Sequence, residues 1–145
     1  MRGWFLKLDY CIFFQLAKAN QIGNRFLGQK VAELNITPVQ ALVLGFLSDE
    51  DRITSSELGK RTELDSATLT GIIDRLEAAE LIERQGNPAD RRSIHIHLTE
   101  RGRLLGTRAV QLIAEANVKF LEMLTEQERG ELRRIIRKLR AAATK

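Results

Sequence analysis

Cysteine is almost absent from this 145-residue chain, Cys11 being the only one. A lone thiol closes no internal disulfide, so the fold must stand on burial, which suffices at this length for one domain or one with an extension. Proline is nearly as scarce. Pro38 and Pro88 are the only two, which excludes a Pro-rich linker. No apolar run approaches the roughly 20 residues of a membrane span. The first ten residues, broken by Lys7 and Asp9, lack the apolar stretch and cleavage site of a signal peptide. The expectation is a cytoplasmic protein with no membrane partner. No histidine stands beside a serine or cysteine nucleophile, and no glycine-rich phosphate loop follows a strand. Neither an enzyme nor a cofactor is expected.

What is present is a modest basic excess, 23 Lys and Arg against 19 Asp and Glu, for a formal charge of +4. It is unevenly spread. The segment holding Arg84, Arg91, Arg92, Arg101 and Arg103 is basic, as is the tail from Arg129 to Lys145, whereas Asp49-Glu50-Asp51 is an acidic loop. In the tail, Arg133, Arg134, Arg137, Lys138 and Arg140 interleave with Leu132, Ile135, Ile136 and Leu139, so they read as the solvated face of an amphipathic helix.

Helical spacing dominates. Leu6, Tyr10, Phe13 and Ala17, then Leu27, Val31 and Leu34, predict one long helix from Leu6 to Leu34. Such a helix exceeds the needs of its own core, which points to burial by a partner. Thr37-Pro38-Val39-Gln40 is a capping box with proline in the first turn, opening a second helix that carries Ala41, Leu42, Leu44, Phe46 and Leu47. Ile53 is an apolar stub before a second box, Thr54 to Glu57, which opens a third helix ending near Thr62. After a tight turn at Glu63-Leu64, Asp65 or Ser66 caps a fourth helix reaching about Ala79. Two short helices joined so closely are a helix-turn-helix.

The period then changes. Leu81 to Gln85 reads as a strand, Gly86 to Asp90 as a turn, and Ser93 to Leu98 as an alternating half-buried strand. This two-stranded hairpin is a wing. Thr99 caps a fifth helix with Leu105, Leu112, Ile113, Ala116, Phe120 and Met123 inward, and Thr125 to Glu128 opens a sixth that ends near Ala143. The fold class is therefore mainly α, an α+β winged helix with six helices and a two-stranded wing.

The fourth helix buries Leu69, Ile72, Ile73 and Leu76, leaving a face centred on Ala67, Gly71, Asp74 and Ala78 and flanked by Thr70 and Arg75. Small residues there let a backbone sit deep in a major groove, with Ser66, Thr68 and Thr70 reaching phosphates or base edges. Mid-helix glycine costs about 1 kcal/mol relative to alanine. Gly71 therefore needs a reason, either close approach to DNA or close packing on a neighbouring helix. Arg75 has no acidic residue three or four positions away, and reads as a guanine or phosphate contact or as a solvated arginine. At the wing tip, Asp90 can orient Arg91 or Arg92 for a narrow minor groove, where negative potential is greatest.

The run from Thr54 to Gly102, with Leu64-Asp-Ser-Ala-Thr-Leu-Thr, Asp90-Arg-Arg-Ser and Leu98-Thr-Glu-Arg-Gly, resembles the multiple-antibiotic-resistance regulator (MarR) family. The order of elements outside that run is similar too. The resemblance implies a homodimer built from residues 1–36 and 100–145, with residues 37–99 as the DNA-binding unit. It also implies double-stranded DNA with a palindromic operator as partner, read by Ser66, Ala67, Thr68, Thr70 and Gly71, with Arg91 or Arg92 in the minor groove. Family members are typically released from DNA by a small, often aromatic, effector. Tyr10, Phe13, Phe14 and Phe46 are the candidate lining of its pocket, plain core being the other reading.

Cysteine and histidine offer two further candidate switches. In the peroxide-sensing branch of the family a cysteine in the first helix is reactive. Here the sensing position falls at Phe13, the assisting tyrosines are missing, and Cys11 reads as an inert thiol, a Cys11 redox-sensing repressor being the alternative reading. His95 and His97 share one strand face, but two ligands on an exposed hairpin are too few for a metal site, so none is expected. The competing class of function is a winged-helix protein-interaction module without DNA binding, which should present an apolar patch in place of the polar helix and basic tip.

Overall fold

Side-chain oxygens set five of the six helix starts among the described residues, 7–143 of the computed structural model. Thr37, Thr54, Asp65, Thr99 and Thr125 each accept the backbone N–H three residues on. At Thr37, Thr54 and Thr125 the glutamine or glutamate of the box bonds back to the cap N–H. These caps begin α2 (Pro38–Asp49), α3 (Ser55–Thr62), α4 (Ser66–Ala78), α5 (Glu100–Phe120) and α6 (Glu126–Ala143). Asp65, not Ser66, caps α4.

The first helix is shorter than its apolar spacing predicts. Leu6 lies outside the described residues. Leu8–Tyr10 form a separate 3-10 turn, Cys11 is extended, and the α-helix α1 covers Ile12–Val31. β-Branched and aromatic residues crowd its start, at Tyr10, Ile12, Phe13 and Phe14, and all are poor helix initiators. At the other end the chain tightens through Ala32–Leu34 and stops at Asn35, whose φ of 54° is left-handed. Only the later half of the expected stripe packs within the chain. Val31 is fully buried with Ala41, Ala109 and Leu112, flanked by Leu27 and Leu34, whereas Tyr10 and Phe13 are 72% and 78% exposed.

The wing hairpin consists of β2 (Ile82–Asn87) and β3 (Asp90–Leu98), joined by a two-residue turn at Pro88-Ala89 with a bulge at Gly86/Asn87. The two-stranded wing is as predicted, and a third strand joins the sheet at its base. Ile53–Thr54 form β1, antiparallel to β3 with Ile53 opposite Ile96, giving the order β1-β3-β2. Two residues are too few to show alternation, which is why the stub did not read as a strand. The turn is also shorter than expected, so Arg91 and Arg92 belong to β3 rather than to the loop.

The main core gathers Leu44, Leu47, Leu58, Ile73, Leu76, Ile82 and Ile96, all less than 2% exposed, from α2, α3, α4 and the sheet. Leu112 and Ala116 of α5 are inward as predicted. Met123 lies beyond the end of α5 and is 77% exposed.

The tightest joint is where α5 begins. Thr99 N–H donates to the Leu81 carbonyl at 3.1 Å, and its hydroxyl donates to the Glu80 carbonyl at 2.7 Å. A Cβ on Gly102 would stand 1.8 Å from the Leu81 oxygen. The obstacle is backbone and cannot step aside. Gly102→Ala should destabilise the fold by about 3 kcal/mol, the upper end of overpacking costs, measured by urea unfolding. A loss under 1 kcal/mol would mean that the joint yields.

Candidate nucleic-acid interface

The sequence of α4 divides it cleanly. Leu69, Ile72, Ile73 and Leu76 are buried as predicted, while Ser66, Ala67, Thr68, Thr70, Asp74 and Arg75 are exposed. Among the described residues nothing lies within 4 Å of the place a Gly71 side chain would occupy. Packing on a neighbouring helix of the same chain therefore does not explain this glycine, and the open surface reading is left.

Two hydroxyls expected to reach outward are already engaged. The Thr68 hydroxyl donates to the Asp65 carboxylate at 2.6 Å, and that of Thr70 donates to the Ser66 carbonyl at 2.8 Å. A phosphate needs a donor, and both have committed theirs within the first turns of the helix. Of the three hydroxyls, Ser66 alone retains its proton for an outside acceptor. The Arg75 guanidinium has no ion-pair partner among the described residues, as its empty neighbouring positions foretold.

At the wing tip, Asp90 does not hold a guanidinium as expected. Its carboxylate accepts from the backbone N–H of Arg92 at 3.0 Å, closing a short turn at the start of β3. A carboxylate reaches an amide two residues on more readily than the end of a long neighbouring side chain. Asp90 thus shapes the backbone, and the Arg91 and Arg92 guanidinium groups carry no ion pair among the described residues. Asn87 does the same on the other side of the turn, accepting from Ala89 N–H at 2.9 Å.

Sequence reasoning missed a third group. Arg84 on β2 reaches back to α4, donating to Asp74 at 2.5 Å and also to Glu77. The Asp74 hydrogen bond leads in raising its pKa. The only sequence hint was two carboxylates three apart on α4, facing a basic strand.

The four aromatics proposed to line one pocket are not brought together within the chain. A cleft of about 280 Å³ between α2, α3 and α5 is lined by Phe46 with Leu42, Gly45, Val110, Ile113, Asp49 and Arg61. Tyr10 in the turn before α1, and Phe13 and Phe14 at its start, are all exposed in the single chain, far along the chain from the anchored end of α1 at Val31. Arg61 lies 5.6 Å from the centre of the Phe46 ring and pairs with Glu50 at 2.9 Å and with Asp49. Cys11 is half-buried and free. The His95 and His97 rings stand edge to face at 6.4 Å, and no group of three metal-ligating side chains occurs among the described residues.

Helix-turn-helix, wing and flanking long helices together define a winged helix-turn-helix protein. Residues 34–93 match the MarR family. Over 124 residues, 86% of this chain and 78% of its relative, the sequence is 31% identical to the transcriptional repressor NicR of Pseudomonas putida. An Escherichia coli MarR mutant solved with operator DNA is 27% identical, with a TM-score of 0.83 over 94% of this chain and 99% of the other. The PcaV regulator of Streptomyces coelicolor, solved with its natural ligand, is 26% identical, with a TM-score of 0.86 over 99% of both chains. The chain belongs to the MarR family, whose named relatives are transcription regulators and not enzymes.

The start of α4 carries a pH dependence. Hydrogen bonds from the Thr68 hydroxyl, then from its N–H, hold the Asp65 carboxyl below its ordinary value. A depressed acid stabilises the fold fully above its unfolded pKa and loses that contribution as pH falls through the folded one. Asp65 should titrate by NMR below the usual aspartate range. Asp65→Asn should remove its share of the acid-induced fall in melting temperature, and an Asp65 midpoint at the ordinary value would contradict this.

Proposed function

We propose that the chain is a homodimeric, sequence-specific transcription regulator that binds a palindromic operator and represses until a small molecule releases it. The observation that carries the reading is the open face of α4 at Gly71, with Arg75 one turn along the helix and Arg91 and Arg92 at the wing tip, none of them ion-paired among the described residues. A groove-binding helix needs a surface that lets a duplex come close, and a wing needs cations that are not already neutralised. Ala67 and Gly71 supply the close approach. Ser66 and the exposed turn around Thr68 and Thr70 face the phosphates, and Arg75 lies one turn further along. The MarR–operator complex supports this assignment by likeness of fold.

Residues 37–99 form the DNA-binding unit, and residues 1–36 and 100–145 form the dimer. Leu8, Tyr10, Ile12 and Phe13 at one end, with Ile135, Ile136 and Leu139 of α6, are exposed in the single chain. Apolar surface on this scale asks for a cover. A second copy supplies it and matches the two-fold symmetry of a palindrome. The effector site is the cleft at Phe46; that a relative, PcaV, was solved with its natural ligand supports the presence of an effector. Cytoplasmic location follows from access to operator DNA. Among the described residues no single helix is long and apolar enough to cross a membrane.

Selection from a random-sequence duplex library should enrich an inverted repeat with half-sites about one helical turn apart. Absence of any bound DNA would overturn the reading in favour of a protein-interaction module. Gly71→Ala should raise stability by about 1 kcal/mol and yet weaken operator binding. Unchanged binding would remove Gly71 from the contact surface. Arg91→Ala and Arg92→Ala should weaken binding, and each variant that loses a phosphate contact should lower the salt slope by about one. Unchanged affinity across a salt series for both would take the wing out of the mechanism.

A further inference from the structure

We propose that Arg84 is a positioning residue for DNA readout, fixing the angle between the recognition helix α4 and the wing through Asp74 and Glu77. The inference rests on the DNA-binding reading above. It begins with the pattern of the hairpin. In an antiparallel pair, residues opposite one another share a face, so the core-facing rows are Ile82 with Leu98, Arg84 with Ile96, and Gly86 with Ile94. Apolar contact with the core ends one step up the hairpin. Ile82, Ile96 and Leu98 are buried, but no residue from Glu83 to His95 is, and Ile94 is 47% exposed.

A two-stranded ribbon without a buried face is weakly held. Arg84 stands at the point where burial gives out, in the row that would otherwise continue the core. Its side chain is 28% exposed, against 60% for Asp74 and 40% for Glu77. One guanidinium nitrogen takes Asp74 at 2.5 Å, the other takes Glu77, and the Arg84 N–H adds a 3.4 Å bond to Glu77. Three points fix both position and tilt. A guanidinium fork can hold two carboxylates in one plane, which a single ammonium cannot do.

Charge gives the same clasp a second effect. Asp74 lies next to Arg75 on the exposed face of α4, and Glu77 is one turn from Asp74. Unneutralised, these carboxylates would stand among the groups that meet DNA phosphates. Pairing with Arg84 removes that repulsion without removing the residues. Exposed ion pairs contribute little to stability, so the consequence should be read in DNA discrimination rather than in melting.

The test uses the full chain, an operator duplex from the library selection, and a random duplex of equal length. Arg84→Lys keeps the charge and loses the fork, and the double variant Asp74→Asn/Glu77→Gln keeps Arg84 and loses its partners. Both should lose about tenfold in preference for operator over random DNA, the range of one mismatched base pair, Arg84→Lys with random-DNA binding unchanged and the double variant with weaker operator binding despite its added positive charge. Combining all three substitutions should add little, because the residues act as one unit. Charge alone demands the opposite of the double variant, since deleting two negative groups should tighten binding to every duplex. Tighter operator binding by that variant, or wild-type operator affinity in Arg84→Lys, would overturn the proposal. So would a loss of affinity that follows a fall in melting temperature, which would reduce Arg84 to a stabilising contact. Failure of the wild-type chain to bind any duplex would instead overturn the DNA-binding reading, and this inference with it.

Discussion

Where α5 begins, backbone meets backbone with no side chain between. Gly102 passes the Leu81 carbonyl, and Thr99 bonds to Glu80 and Leu81 through both its hydroxyl and its amide. The end of α4, the base of the wing and the start of α5 all meet at this joint. Residue 81 is the hinge point between the end of α4 and the start of β2, so the long helix α5 is fastened to both at once. A second clasp lies close by. Asp51 accepts from Leu98 N–H at 2.9 Å and pairs with Arg103 at 3.3 Å, tying the acidic loop to the end of β3 and the first turn of α5. A rotation of α5 therefore carries α4 and the base of the wing with it, with no slack at this end.

The distribution of charge follows the same economy. Arg61, Arg84, Arg103, Arg108, Arg134 and Arg140 are all engaged with carboxylates. The basic tail, despite its density, is partly spent internally, with Arg134 on Glu131 and Arg140 reaching Glu63 in the turn before α4. Arg129 donates to the carbonyls of Leu121 and Leu124, closing the α5–α6 corner. Arg75, Arg91 and Arg92 carry no ion pair among the described residues, and neither do Arg25, Arg52, Arg101, Arg133 and Arg137. A net charge of +4 says little about where a polyanion would sit. What marks α4 and the wing tip is that unpaired arginines occur there together with the open helix face at Gly71.

The sequence revealed what depends on neighbours in the chain. Capping at Thr37, Thr54, Thr99 and Thr125 acts over three residues, and the buried face of α4 follows from helical spacing alone, so both were legible. Asp90 misled because its distance in sequence to either guanidinium is as short as to the Arg92 amide, and only geometry separates them. The break at Cys11 was hidden by an apolar stripe that runs through it. Arg84 was out of reach for a different reason. Its partners are ten and seven residues away across a helix end and a strand start, and no periodicity links a strand to a helix face. The same holds for β1, whose two residues pair with a strand more than forty positions later. That the aromatics of α1 do not join Phe46 follows from where α1 is anchored, and this is set by its contact with α5 near Val31.

The two-residue turn at Pro88-Ala89 starts β3 early enough to include both tip arginines. Between Asp90 and Ile94 the register shifts, leaving Arg91, Arg92 and Ser93 opposite no residue of β2 in the ladder. A bulge of this kind bends its strand and re-aims the side chains it carries. On the proposed DNA-binding reading it is therefore the irregularity, and not the alternation of the strand, that would aim the two tip arginines at a duplex.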